Sequence, residues 1–190
     1  HSDTSQDTHS PVRDGFWWSH VGWLVARENY RTRLEEVRDL ARFPELVFLD
    51  RFDALVPLVS LAGAYGLGAA LDALWPGLGT SGAQMLLWGF VASTVLLYHA
   101  TFTINSLAHS HGARVYETGD TSRNNLWLAL LTLGEGWHNN HHHYPGSARQ
   151  GFRPAEIDLS YCGLRLLAAL GLVRDLRPVP THVLARGRKR

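Results

Sequence analysis

The sequence predicts an all-α chain built around an integral-membrane helical hairpin. Three observations predict it. Two long apolar stretches, residues 52–75 and 82–105, follow one another closely. All 18 Lys and Arg residues lie before Phe52 or after Ala113. Histidines gather just beyond the apolar run, and several of them sit at helical spacing.

Residues 1–20 mix Ser, Thr, Asp and Pro and read as loop. Residues 16–25, F-W-W-S-H-V-G-W-L-V, are aromatic and apolar but too short to cross a bilayer; Trp17, Trp18 and Trp23 suit headgroup depth. Residues 26–51 are charged. Leu34, Val37, Leu40 and Ala41 recur there at helical spacing, which predicts an amphipathic helix on a membrane surface. The stretch 52–75 carries only Asp53 and Asp72, near its ends, and 82–105 carries no formal charge. A span needs about 20 apolar residues, and both qualify. Residues 76–81 are short, uncharged and turn-forming, so the two spans form one hairpin. Its basic flanks then share a side, and the positive-inside tendency makes segments 1–51 and 106–190 cytoplasmic. The alternative is a soluble protein with two buried helices, which the length of the uncharged run disfavours. Residues 124–133 and 161–172 read as shorter apolar helices. The basic tail R-G-R-K-R reads as a solvated or headgroup-contacting end. G-L-G-A-A-L at 66–71 lies inside an apolar span and not after a strand, so it is no dinucleotide fingerprint.

The net charge is +1 and the basic residues form no patch, which argues against nucleic acid as a partner. Cys162 is the single cysteine; an internal disulfide and a thiolate zinc cluster within one chain are excluded. Histidine is abundant, with 11 residues. The chain starts at His1, without Met and inside a polar segment, and reads as a C-terminal fragment.

The strongest chemical signal is E-G-W-H-N-N-H-H-H-Y-P at 135–145. On a helix, His138, His141 and His142 stand at i, i+3 and i+4 and share one face. Three imidazoles there can hold one or two transition-metal ions; a solvated His-rich turn is the alternative, and the neighbouring Trp137 and Tyr144 argue against it. Asn105 and His109 form an i, i+4 pair at the end of the second apolar stretch. Alone, such a pair serves equally well as interhelical hydrogen-bonding glue. Beside the His cluster it reads as further ligands. His99, among apolar residues, reads as a core histidine, and His143 points away from the ligand face. Imidazoles with few carboxylates suit iron, zinc or copper. Glu135 can be a general base for zinc hydrolysis or a residue that orients a ligating imidazole, so ligand chemistry leaves iron oxidation and zinc hydrolysis both open.

Several motifs occur together: S-D-T-x-x-D-x-H at 2–9, G-F-W-W-S-H-V-G-W-L at 15–24, N-S-x-A-H at 105–109, S-R-N-N at 122–125, G-E-G-W-H-N-N-H-H at 134–142, S-A-R-Q-G at 147–151 and G-L-V-R-D-L-R at 171–177. In these the chain resembles the membrane fatty acid desaturases, most closely their acyl-CoA delta-9 (stearoyl-CoA) branch and its bacterial members. The resemblance implies an all-helical membrane fold with a cytoplasmic cap that holds a His-rich dimetal site of two Fe ions, with dioxygen as co-substrate. By that resemblance His138, His141 and His142 are the third His box, and Asn105 and His109 are the ligands that end the last span. The first box and the core of the second, H-R-x-H-H, are absent; His1 lies just after where that second box would end and is not counted as a ligand, and His9 and His20 match positions that are not ligands. Arg27 matches a residue that binds CoA phosphates, although its neighbour is Glu28 where animal relatives have Lys. Thr101 and Phe102 match positions lining a kinked acyl tunnel. The D-T-H at 7–9 replaces an expected D-P-H. The implied function is desaturation of a fatty acyl thioester at the bacterial inner membrane, in contact with membrane lipid. The active site faces the cytoplasm, and electrons come from ferredoxin or cytochrome b5. With about half of the ligands present, this chain alone is expected to be inactive. A fatty acyl or lipid hydroxylase on the same scaffold, or a catalytically dead membrane scaffold, are the rival readings.

Overall fold

A computed structural model describes residues 1–186 of the protein, so the expectation for the basic tail beyond Arg186 falls outside the described residues. The described residues are helical, with no strand and two isolated β-bridges. In chain order the helices are α1 (Pro11–Asp14), α2 (residues 18–25), α3 (Pro44–Arg51), α4 (Leu55–Leu74), α5 (Gly82–His109), α6 (Leu126–Leu131), α7 (His138–His143), α8 (Leu159–Ala169) and α9 (Thr181–Arg186). The chain divides into two compact units, Arg27–Tyr98 and the remainder on either side of it.

Arg27–Tyr98 is a helical hairpin with a leading segment. Pro57 falls in the first turn of α4, where its missing N–H costs nothing. Pro76 disfavours helical geometry at Trp75, which leaves the helix with φ −140°. A single turn, Pro76–Leu78, and Gly79 in left-handed geometry reverse the chain. Ser81 then opens α5 with a capping box: Gln84 N–H donates to Ser81 Oγ at 3.2 Å, and Ser81 N–H donates to Gln84 Oε1 at 3.0 Å. The two helices cross closely because Gly68 has no side chain. A Cβ there would run into the Ser81 carbonyl oxygen and the Met85 side chain. α4 has 20 residues and α5 has 28, and both are long and apolar enough to cross a membrane. In the most apolar window of each helix almost no residue is buried within the protein, whereas Ile104, Ser106, Ala108 and His109 at the end of α5 are buried.

The amphipathic helix expected over residues 26–51 does not form as one element. Residues 30–39 are turns, and a regular helix begins only at Pro44. Proline forbids helical continuation from the preceding residue and is at home in a first turn, so it splits the segment there. Leu34, Val37, Leu40 and Ala41 instead line one small apolar groove with Leu46 and Val47.

The other unit has an unusually polar interior. Its largest fully buried side chains are Asn139 and Asn140, with Ser10, Ser19, Ser106 and Ser122. Among the described residues the buried apolar clusters are small: Ile104 with Ala108 and Leu128, and Tyr116 with Phe152 and Val183. Hydrogen bonds therefore carry much of the specification of this unit.

Candidate metal centre

Two bridges bring the candidate ligands together. Ala113 and Asn124 exchange backbone hydrogen bonds of 2.9 and 2.8 Å, and Asn124 also bridges to Trp137. The first folds the chain back just after His109; the second delivers the start of α7 beside it. Gly112 makes the turn feasible: its φ is +133°, and a Cβ would strike the Asn124 carbonyl oxygen.

The helix α7 is held by the two adjacent asparagines that lie between His138 and His141. Asn139 Oδ1 accepts from the N–H groups of Val115 (2.8 Å) and Tyr116 (2.7 Å), and its Nδ2 donates to the Tyr116 carbonyl at 3.1 Å. Asn140 Oδ1 accepts from Asn124 Nδ2 at 2.7 Å, and its Nδ2 donates to Gln150 O and Glu156 Oε2 at 2.9 and 2.8 Å. With one side of α7 fixed to the scaffold in this way, His138, His141 and His142 are held in a set orientation.

The candidate ligand atoms of His109, His138 and His142 all lie within 4.8 Å of one another. His109 Nε2 is 3.1 Å from His138 Nε2. Metal–nitrogen bonds of about 2.0–2.1 Å at right or tetrahedral angles place two donors roughly 2.8–3.4 Å apart, so this spacing fits two ligands of one ion. His141 stands outside the tightest group; its ring is 6.0 Å from that of His138 and 5.7 Å from that of His142. Asn105 is half-buried, four residues before His109 on α5.

Two carboxylates stand behind the imidazoles. Asp3 Oδ2 is 3.2 Å from His109 Nδ1, and Asp120 Oδ2 is 2.5 Å from His142 Nδ1. Burial works to raise both carboxyl pKa values. Hydrogen bonds from Thr121 and Ser10 to Asp3, with nearby His109, outweigh it and hold Asp3 below the ordinary range. Hydrogen bonds from Ser122 to Asp120, with His142, do the same and hold Asp120 far below it. Burial first, then His142, His109 and His141, push His138 down to about 2. Burial and His142 also lower His141. Near neutral pH this keeps His138 and His141 uncharged and both carboxylates ionised, and an uncharged imidazole is the form that a transition metal requires of a ligand.

The remaining expected residues lie elsewhere. Glu135 is exposed and makes no hydrogen bond to a cluster imidazole among the described residues; Asp3 and Asp120 do. Arg27 and Thr101 are exposed. Phe102 is half-buried, its ring 5.9 Å from His20 and 6.5 Å from Trp23. His20 pairs with His99 at 3.1 Å and with Ser106 Oγ at 3.1 Å. His143 stacks on Tyr116 at 4.2 Å, away from the cluster. Asp120 escaped the sequence reading, although T-G-D-T-S at 118–122 is a turn sequence whose Asp is placed to bind nearby groups.

The family model for fatty acid desaturases matches residues 1–167. The chain is 36% identical to a probable chloroplastic lipid desaturase of Arabidopsis thaliana, over 99% of this chain and 49% of that protein. It is 37% identical to an sn-1 stearoyl-lipid 9-desaturase of Anabaena variabilis, over 93% of this chain and 60% of that protein. It is 37% identical to an icosanoyl-CoA 5-desaturase of Limnanthes douglasii, over 95% of this chain and 48% of that protein. The chain thus spans about half the length of the curated relatives it matches.

Proposed function

The chain belongs to the fatty acid desaturase family, and from that premise we propose that it takes part in oxygen-dependent desaturation of a saturated fatty acyl chain at a membrane. The observation that carries this reading is the convergence of His109, His138 and His142 at the end of a long apolar helix. Such a place lets an acyl chain lie in an apolar environment while one methylene reaches the ligands.

Two Fe ions are the proposed cofactor, with His138, His141, His142, His109 and Asn105 as this chain's ligands. When bound, iron with dioxygen supplies the oxidising power that hydrogen removal from an unactivated methylene requires. In balance, the acyl chain loses two hydrogens from adjacent methylenes. Two electrons and two protons from outside join them in reducing dioxygen to two waters. No flavin or nicotinamide motif is present in the sequence, so the electrons come from a partner such as ferredoxin or cytochrome b5. The chain's own residues hold and orient: buried imidazoles kept neutral, carboxylates that anchor them, and Thr101 and Phe102 as acyl-chain contacts.

The fatty acyl thioester reading, acyl-CoA delta-9 type, has Arg27 grip CoA phosphates. A lipid-borne acyl chain is the second reading. It is favoured by Glu28, which places a negative charge beside Arg27, and by the lipid substrate named for the relative from Anabaena. The hairpin α4–α5 is proposed to span the membrane, bacterial inner membrane being the reading, with its outer ends and the cluster on the cytoplasmic side.

The test joins the chain to the part of the Anabaena variabilis relative that it does not cover, in a desaturase-deficient host. Fatty acids are then resolved by head group and double-bond position. The fusion is expected to make monounsaturated acyl chains, and the chain alone and a His142→Ala fusion to make none. Hydroxy acids would transfer the assignment to a hydroxylase, and activity of the chain alone would overturn the ligand count.

A further inference from the structure

We propose that Asp3 and Asp120 are positioning residues that fix the tautomers of His109 and His142, and that the loop of residues 118–122 seats them both. The proposal rests on the metal-binding part of the reading above.

An ionised carboxylate only accepts hydrogen bonds. Asp3 Oδ2 faces His109 Nδ1 at 3.2 Å, and Asp120 Oδ2 faces His142 Nδ1 at 2.5 Å. Each contact requires the proton on Nδ1 and leaves the Nε2 lone pair free. In His109 that freed nitrogen is the one 3.1 Å from His138 Nε2. An imidazole free in water favours the other tautomer, with its proton on Nε2. The carboxylates therefore do more than neutralise charge: they select the form that can ligate through Nε2.

Both carboxylates are themselves anchored by one turn. The Thr121 N–H and Thr121 Oγ1 each donate to Asp3 Oδ2 at 2.7 Å, and Ser10 Oγ donates to Asp3 Oδ1 at 2.7 Å. The Ser122 N–H and Thr118 Oγ1 donate to Asp120 Oδ1 at 3.0 and 2.9 Å. Asp120 and Thr121 are adjacent, so a five-residue turn orients one imidazole directly and the other through Asp3. Ser122 is fully buried, which ties the turn to the scaffold. In Asp3 the anchored oxygen accepts from Thr121 twice, so it has little freedom to rotate away from His109.

The deciding measurement is nitrogen NMR of the metal-free chain labelled at histidine, with signals assigned through His109→Gln and His142→Gln. His109 and His142 are expected as Nδ1–H tautomers. Asp120→Ala is expected to move His142 toward Nε2–H and to weaken ferrous-iron binding by about ten- to a hundredfold. Asp120→Asn, which keeps an acceptor oxygen, is expected to restore part of both. Asp3→Ala is expected to do the same to His109 and leave the His142 tautomer in place. Nε2–H tautomers in the unmodified chain overturn the proposal, as do an unchanged tautomer and unchanged iron affinity in both alanine variants. If an alanine variant does not fold, the tautomers of the unmodified chain decide alone. A chain that binds no iron would defeat the metal reading, while the metal-free tautomers would still decide this one.

Discussion

His138 takes no proton in the folded chain until the solution is strongly acidic, because burial and three neighbouring imidazoles push its pKa down to about 2 from an ordinary 6.5. The unfolded chain takes that proton near pH 6.5. Below that pH the unfolded state binds more protons, so stability is complete above about 6.5 and falls as pH drops toward 2. His141 is shifted the same way. The limiting slope is about 1.4 kcal/mol per pH unit for His138. The metal-free protein is expected to lose thermal stability from pH 7 to pH 5, and His138→Gln is expected to flatten the decline. A melting temperature that is level or rising on acidification in the unmodified protein would contradict this. The residue scale is also where the sequence was least informative. His138, His141 and His142 announce themselves by spacing on one helix. Asp3 and Asp120 reach their imidazoles across 106 and 22 residues through tertiary hydrogen bonds, which no local spacing encodes. Asn139 and Asn140 stood inside a quoted motif, yet their role as anchors becomes visible only once Val115, Tyr116 and Asn124 are seen beside them.

Elements follow the same division between local and tertiary signals. The apolar stretches 52–75 and 82–105 are recognisable because uninterrupted hydrophobicity is a local property; α4 and α5 occupy Leu55–Leu74 and Gly82–His109. Segment 26–51 misled because helical spacing of four apolar residues was read without the break that Pro44 imposes. Where α4 meets α5, Gly68 marks a point of backbone contact that sequence alone leaves among several equivalent glycines. Gly68→Ala is expected to force the helices apart at Ser81 and Met85 and to cost on the order of 1–3 kcal/mol. Gly63→Ala and Gly66→Ala meet open space. They are expected to be neutral or to stabilise by up to about 1 kcal/mol through helix propensity. Thermal unfolding in detergent compares the three, and equal effects at all three positions would rule out the close crossing.

At the scale of the whole molecule, the exposure of α4 and α5 fits the membrane surrounding proposed for them. Val59, Leu67, Trp88, Leu96 and Leu97 are all more than half exposed, and apolar surface left in water forgoes about 25 cal/mol per Å². A bilayer removes that penalty. On the proposed orientation, with both basic flanks on the cytoplasmic side, Thr80 at the hairpin turn is expected on the outer face of the membrane. Thr80→Cys in intact cells, with Cys162 replaced by Ser, should react with an impermeant maleimide added outside. Reaction only after the cytoplasmic face is opened would reverse the orientation.

The hydrogen bond from His109 to Asp3 joins groups 106 residues apart, and both apolar helices lie between them in the chain. This has a consequence for the order of events during synthesis. At about 5–20 residues per second, a ribosome that has made Asp3 needs roughly 7–28 s more to reach His142. Until His109 is made, about three quarters of the way through that interval, the early aspartate has no imidazole to hold, and the hairpin can insert before any complete cluster exists. On the proposed iron reading, capture is expected late, after translation has passed α7. Ribosome-bound chains halted so that residue 130 has just emerged are expected to retain no iron, and chains exposing residue 160 to begin retaining it. Iron held by the shorter chains would show that the cluster closes without α7.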